Sequence, residues 1–107
     1  MAIDRVATFQ AFIAKNPNDP FPRYGLAMEQ RARGNLEESA ATFAALTAEF
    51  PNYVPTYLMA GGVLAQLGRR DQAGQCYRRG IEVASVSDPH AKKELVAALL
   101  ELETADE

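Results

Sequence analysis

The sequence predicts an all-α protein of about six helices, from an internal repeat, its punctuation and its helical periodicity. Shifted against itself by 34 residues, the chain aligns a glycine pair, a proline pair and three aromatic residues in one register. These are Gly34 with Gly68, Pro17 with Pro51, and Phe9 with Phe43 and Tyr77. Glycine and proline separate segments whose apolar residues recur at helical spacing, so each period reads as a helix, a turn and a second helix.

Length and composition indicate one ordinary domain. The chain has 107 residues, of which 48% are apolar and 23% charged, a balance that excludes a disordered tail. No apolar run approaches the roughly 18–20 residues that cross a bilayer, so we expect no membrane partner. Residues 1–5 lack the basic flank and apolar stretch of a secretory signal, which indicates a cytoplasmic protein.

The net charge and the small numbers of cysteine and histidine residues exclude several classes of function. A net charge of −3 argues against nucleic-acid binding through bulk electrostatics, and we expect no nucleic-acid partner. The single cysteine, Cys76, excludes an internal disulfide. With one histidine, His90, too few ligands remain for a zinc site, so we expect no metal and no cofactor.

The helices follow in order along the chain. A lone helix from Ile3 to Lys15 matches the second helix of a period. In the first period a helix runs from Phe21 to Arg33 and stops at Gly34, because glycine accepts the left-handed conformation beyond a helix end. Asn35 and Glu38 predict a capping box for the next helix, which runs to about Phe50 and is stopped by Pro51.

The second period repeats this order. One helix is predicted from Pro55 to Leu67, and after the break at Gly68 another runs from about Arg70 to Ala84. Asp88 then caps a final helix whose first turn contains Pro89. This final helix carries Leu95, Val96, Leu99, Leu100 and Leu102.

With this period and register the chain resembles the tetratricopeptide repeat (TPR) family, whose repeat is 34 residues long. The matching residues are Leu26, Ala27, Gly34, Phe43 and Pro51 in the first repeat and Tyr57, Gly61, Gly68, Ala73 and Tyr77 in the second. Ser85 stands at the position of the closing proline of the second repeat. The resemblance implies a right-handed superhelix of antiparallel helices: a half repeat at 1–17, repeats at 20–53 and 54–87, and a C-terminal capping helix at 88–105.

In this family, positions 2, 5, 9 and 12 of each first helix line a concave groove that binds peptides. The resemblance therefore implies a mostly apolar groove with two basic side chains, those of Arg31 and Lys92. Its candidate residues are Phe21, Tyr24, Met28, Arg31, Leu58, Gly62, Lys92 and Val96. The alternative is that Tyr24, Met28 and Leu58 pack on neighbouring helices. Some members of this family bind the acidic C-terminus of a heat-shock chaperone with a lysine and asparagines in this groove. We do not expect that function here, because positions 5 and 9 hold no residue that makes a charge-assisted hydrogen bond to a carboxylate.

Catalytic and metal-binding interpretations are both disfavoured. The residue types of a hydrolase triad occur at Ser85, Ser87, Asp88 and His90, but they fall at an interhelical turn without an oxyanion hole. His90 and Glu94 have the spacing of a two-ligand pair, and no further ligands accompany them. Cys76 precedes two arginines, Arg78 and Arg79, that would activate its thiol, but a packing role is the favoured interpretation.

These patterns predict a non-enzymatic protein-interaction module, a scaffold or adaptor. Its partner is a protein or peptide segment with apolar side chains and an acidic residue near Arg31 or Lys92. The alternative is structural self-assembly as a homodimer, through the groove or through a leucine stripe on the last helix, Leu95, Leu99 and Leu102. In that case the acidic tail, residues 101–107, would fill the groove of a neighbouring copy.

Overall fold

The computed structural model describes residues 4–105, and within this range the fold is six α-helices without a strand. The helices are α1 (Arg5–Lys15), α2 (Pro20–Ala32), α3 (Leu36–Glu49), α4 (Pro55–Gln66), α5 (Arg70–Ser87) and α6 (Pro89–Thr104). This confirms the predicted all-α class and helix number. The predicted start at Ile3 and the acidic residues Asp106 and Glu107 lie outside the described residues.

Aspartates cap three of the helices. The Oδ1 atoms of Asp4, Asp19 and Asp88 accept hydrogen bonds from first-turn backbone N–H groups, at 3.0 Å for Asp19 and Asp88. The predicted capping box at Asn35 is wrong, because its side chain makes no cap hydrogen bond. The chain enters α3 directly from the turn at Gly34 with a ψ of 67° at Asn35, as it also does at Arg69 before α5. The glycine turn, and not a side chain, sets both helix starts.

The two predicted breaks are confirmed at Gly34 and Gly68, whose φ angles are 81° and 77°. After each glycine, the next backbone N–H reaches back to a carbonyl of the preceding helix at 2.9 Å, which satisfies a group that the helix end leaves open. By contrast, α5 continues past the predicted end at Ala84 to Ser87. No proline stands at this point, and Ser85 stays helical with its hydroxyl donating to the carbonyl of Ile81.

The core consists of two apolar clusters that meet at α4. The first joins α2, α3 and α4 around Ala27, Phe43, Leu46, Ala60 and Val63, and the second joins α4, α5 and α6 around Tyr57, Tyr77, Ala84 and Leu95. Phe43 is 1% exposed and Tyr77 is 6% exposed, which confirms the predicted burial of both aromatic residues. No helix of the described chain is both long and apolar enough to span a membrane.

Glycines let the helices approach the aromatic rings of this core. A Cβ built on Gly61 would lie 2.3 Å from a ring carbon of Tyr77, and one built on Gly80 would lie 2.5 Å from Cβ of Tyr57. Each helix packs on the next along the chain, and α4 also packs against α2 and α6. The first helices of the successive pairs are thereby brought side by side.

Candidate functional site

The side-by-side helices α2, α4 and α6 line an open cavity of about 240 Å³. It is large enough for one or two apolar side chains, and it is smaller than most sites for small-molecule ligands. Its walls are mostly apolar on the α2 and α4 side and polar on the α6 side. The lining residues are Tyr24, Val54, Pro55, Leu58, Met59, Asp88, His90, Ala91, Glu94 and Leu95.

Tyr24 lies on the α2 side of the cavity and is also held by the first core cluster. Its ring makes edge-to-face contacts with Phe43 and Tyr53, at centroid distances of 6.2 Å and 6.1 Å. Burial raises the pKa of its hydroxyl above the usual value, and the nearby Arg31 cation partly offsets this rise. The phenol therefore remains a neutral hydrogen-bonding group at the cavity edge.

Leu58 and Met59 form the α4 wall. Both are half-buried, and each packs against one of the two core clusters while facing the cavity with the rest of its side chain. Opposite them, His90 and Glu94 form an exposed pair on α6 with Nε2 and Oε1 2.7 Å apart. An apolar floor with a polar rim therefore faces outward between α4 and α6.

Arg31 extends from α2 across α4, next to this cavity. Its Nε donates to Oε1 of Gln66 at 2.9 Å, and its Nη1 lies 3.7 Å from Sδ of Met59. A Cβ built on Gly62 would lie 3.1 Å from Nη2 of Arg31, so this glycine provides the space in which the guanidinium lies. The structure thus gives Gly62, unlike Gly61, a polar neighbour. Met28 is half-buried one turn away on α2 and packs on the first core cluster.

The structure brings four of the eight sequence-predicted groove residues together. Tyr24 and Leu58 line the cavity, Arg31 contacts the lining residue Met59, and Gly62 lies against Arg31, whereas Met28 packs on the first core cluster. Phe21 is exposed at the first turn of α2, and Lys92 and Val96 are exposed on α6 outside the lining.

Leu95 explains the placement of the α6 residues. It is buried against Tyr57, and its Cδ1 would meet a Cβ on Gly80 at 3.0 Å. The side of α6 that carries Ala91 and Leu95 therefore faces α4 and α5. Lys92 and Val96 each lie one residue further along, about 100° round the helix, and point away from the cavity.

The lining residues that the groove prediction missed include Val54, Met59, Asp88, His90, Ala91, Glu94 and Leu95. The available signal was the size of Leu95, since a leucine at a position where the repeat pattern has a small residue fixes the rotation of its helix. Met59 gave no such signal, because its counterpart one period earlier is Gly25.

A larger cavity, of about 650 Å³, opens between α5 and α6 away from the groove. Its walls are charged, and its arginines are engaged by the protein itself. Arg78 lies 3.5 Å from a carboxylate oxygen of Glu103, and Arg70 donates to the carbonyl of Leu102. This space is therefore a crevice lined by internally satisfied charges.

The residues considered for a catalytic triad have separate structural roles. Ser85 and Ser87 belong to α5, which corrects their placement in a turn, while Asp88 caps α6 and His90 pairs with Glu94. Among residues 4–105, no group of three or more histidine, cysteine or acidic side chains could hold a metal ion.

Cys76 is half-buried between α4 and α5, with Sγ 3.5 Å from the carbonyl oxygen of Tyr57. Burial raises the pKa of its thiol from the usual 9.0 to about 11. Because the raised pKa disfavours the nucleophilic thiolate, the structure supports the packing role over activation by Arg78 and Arg79.

The free energy of unfolding is expected to fall as pH rises from about 9 to 11. The unfolded thiol ionises near 9.0 and the folded thiol only near 11, so the stabilisation is complete below 9 and is lost through this window. Urea denaturation at pH 8, 9, 10 and 11 should show a smaller fall in Cys76→Ala. A parallel fall in both proteins would contradict the assignment and attribute the pH dependence to the buried tyrosines.

Neither a protein-family model nor a curated protein sequence matches the chain. The crystal structure of a tetratricopeptide repeat domain protein from Salinibacter ruber matches with a TM-score of 0.77 and 38% identity, covering 81% of this chain and 99% of that one. A solution NMR structure of a tetratricopeptide repeat domain protein from the same organism gives a TM-score of 0.77 and 39% identity, over 81% and 89% of the two chains.

Two more distant structures share the fold. PcrH, solved in complex with the chaperone binding region of PopD, gives a TM-score of 0.85 at 18% identity, over 95% of this chain and 78% of that one. The translocator chaperone SycD of Yersinia enterocolitica gives 0.84 at 14%, over 94% and 71%. Together with the 34-residue register and the six stacked helices, the similarity to the Salinibacter protein shows that the chain belongs to the tetratricopeptide repeat family.

Proposed function

We propose that this protein is a non-enzymatic interaction module that binds a segment of a partner protein in the groove between α2, α4 and α6. The observation that carries the proposal is the outward-facing cavity with apolar walls at Tyr24, Leu58 and Met59. Apolar surface that the fold leaves accessible between packed helices is typical of an interaction site. The helices that form it are fixed by the core, so the receptor loses little entropy on binding.

The fold neighbours support this class of function. PcrH has the same fold and was solved with a region of another protein, PopD, bound to it. Within the groove we assign the central contacts to Tyr24, Leu58, Met28, Arg31 and Gly62, to which the lining adds Met59 and Ala91. Phe21, Lys92 and Val96 flank the centre and would contact only a longer segment.

The test uses random peptide segments displayed between two carrier domains and selected on the immobilised protein. For an enriched segment, Leu58→Ser should weaken the affinity at least about tenfold, because it removes an apolar contact at the centre of the cavity. Leu58 is preferred to Tyr24 for this purpose, since Tyr24 also supports Phe43 and Tyr53. Fluorescence anisotropy of the synthetic segment measures the affinity.

Leu100→Ser provides the matched control, because Leu100 is 58% exposed on α6 and lies outside the cavity lining. Circular dichroism establishes that both variants fold. Equal affinity of the two folded variants for the segment would contradict the groove. Failure of any segment to be enriched would contradict the binding function itself.

Self-assembly remains the second candidate, and two surfaces were predicted for it, the groove and the leucine stripe on the last helix. The leucine stripe is not available, because Leu95 is buried and Leu99 and Leu102 pack against the second core cluster. The large apolar residues left exposed on α6 are Val96, at 37%, and Leu100. A homodimer that persists at low micromolar concentration in sedimentation and is lost in Leu100→Ser would favour this function.

A further inference from the structure

Arg31 differs from most arginines of the described chain in its partners. Six others each have a carboxylate oxygen within 4 Å: Arg5, Arg23, Arg33, Arg69, Arg78 and Arg79. Arg31 has no carboxylate at that distance among residues 4–105, and the acceptors recorded for its guanidinium are the neutral atoms of Gln66 and Met59. It is nevertheless half-buried, so part of its hydration is lost without a counter-charge.

The guanidinium is also held in place. Gln66 orients it through Nε, and the missing side chain of Gly62 lets it lie against α4, with Nη2 at 3.1 Å from where a Cβ would be. A helix-interior glycine costs about 1 kcal/mol relative to alanine, and Gly62 has no aromatic ring packed on it to offset that cost. The space at Gly62 is therefore used for the position of Arg31.

Arg31 and the apolar cavity share a wall. Met59 contacts Nη1 of Arg31 through its sulfur and lines the cavity together with Leu58. A segment that places an apolar side chain in the cavity therefore passes next to a pre-oriented cation with free N–H donors. A carboxylate supplies both the charge and the acceptors that such a cation lacks.

Building on the proposed function, we propose that Arg31 binds the side-chain carboxylate of an aspartate or glutamate within the partner segment, adjacent to the apolar residue in the cavity. Gly62 and Gln66 act as positioning residues for this contact. A chain-end carboxylate would present the same two oxygens to the guanidinium, so the proposal commits to the side chain and the experiment below uses segments without a free C-terminus. The other predicted basic residue of the groove, Lys92, lies outside the cavity lining and is not assigned to this carboxylate contact.

The experiment selects binders for the wild type and for Arg31→Glu from the same random segments. Each segment lies between two carrier domains and therefore has no free C-terminus. We expect wild-type selections to enrich an acidic residue at a fixed spacing from an apolar one, and Arg31→Glu selections to enrich a basic residue at the same place. Enrichment of apolar residues alone by both proteins would overturn the role of Arg31 while leaving the proposed function intact. No enrichment by the wild type would overturn both.

Affinities then test the pair directly. Replacing the acidic residue of a selected segment by its amide should weaken binding to the wild type about ten- to hundredfold, and binding to Arg31→Gln about twofold or less. Equal losses for both proteins would overturn the contact. If the tail of a second copy occupied Arg31 instead, the protein alone would dimerise and Arg31→Glu would be monomeric, an outcome that also overturns the proposal.

Gly62→Ala tests the positioning role in a folded protein. The added methyl group should displace the guanidinium and reduce affinity for the acidic segment about tenfold, with little effect on its amide version. Gly74→Ala is the matched control, because a Cβ there also meets an arginine, Nη1 of Arg78 at 3.2 Å, but in the crevice between α5 and α6 and not in the groove. Equal effects of the two alanines would overturn the role of Gly62.

Discussion

Phe43→Ala is expected to lower the free energy of unfolding by about 3–5 kcal/mol. Phe43 is 1% exposed at the centre of the first core cluster, where its ring contacts Tyr24 edge-to-face. The substitution removes apolar burial and leaves a cavity that the helices α2, α3 and α4 cannot close without losing their own contacts. Urea denaturation monitored by circular dichroism measures this loss, which is a large share of the total for a small domain.

Phe12→Ala is the control for this change. Phe12 is 49% exposed on α1, so the same loss of a ring should cost far less there. A cost below about 1 kcal/mol for Phe43→Ala, or equal costs at the two positions, would show that the first cluster is not the organising core.

Gly61→Ala and Gly62→Ala are expected to have opposite effects on stability, although they are adjacent and chemically identical changes. At Gly61 the new methyl group would lie 2.3 Å from the buried ring of Tyr77, which has core on its other side. Overpacking of this kind costs about 1–3 kcal/mol, more than the roughly 1 kcal/mol that alanine gains in a helix. Gly61→Ala should therefore destabilise the protein.

At Gly62 the atoms nearest to the methyl group would be those of the Arg31 guanidinium, the first at 3.1 Å. The guanidinium can move away, so the gain in helix propensity should dominate and raise stability by up to about 1 kcal/mol. Thermal and urea unfolding of the two variants give the comparison. The same sign of effect at both positions would refute the assignment of one glycine to aromatic packing and the other to the groove.

The number and order of the helices followed from local signals. Gly34 and Gly68 end helices because the left-handed conformation beyond each end favours glycine, and the prolines mark where the next segments begin or stop. The aromatic register placed Phe43 and Tyr77 in the core, since one side chain every 34 residues occupies the same place between two helices.

Two features differed from the prediction, the first for a local reason and the second because of tertiary contacts. The end of α5 shifted to Ser87 because serine, unlike proline, does not force a helix to stop. The repeat register singled out Tyr24 and Leu58, which line the cavity, and also Phe21, which does not. On α6 the buried Leu95 sets the rotation, so that Ala91 and Glu94 line the cavity and Lys92 and Val96 do not.

The helices of the stack differ in how many residues they bury. No residue of α1 is fully buried, and Leu95 alone is fully buried in α6, whereas α4 contributes to both core clusters. Helices with few buried residues open more readily than the rest of a protein, so α1 and α6 are expected to detach before α4. Because α6 forms the third wall of the groove, only molecules with α6 docked would present the complete surface that we propose for binding. A bound segment would then hold this helix in place, and the fraction of molecules with α6 detached would set part of the observed affinity.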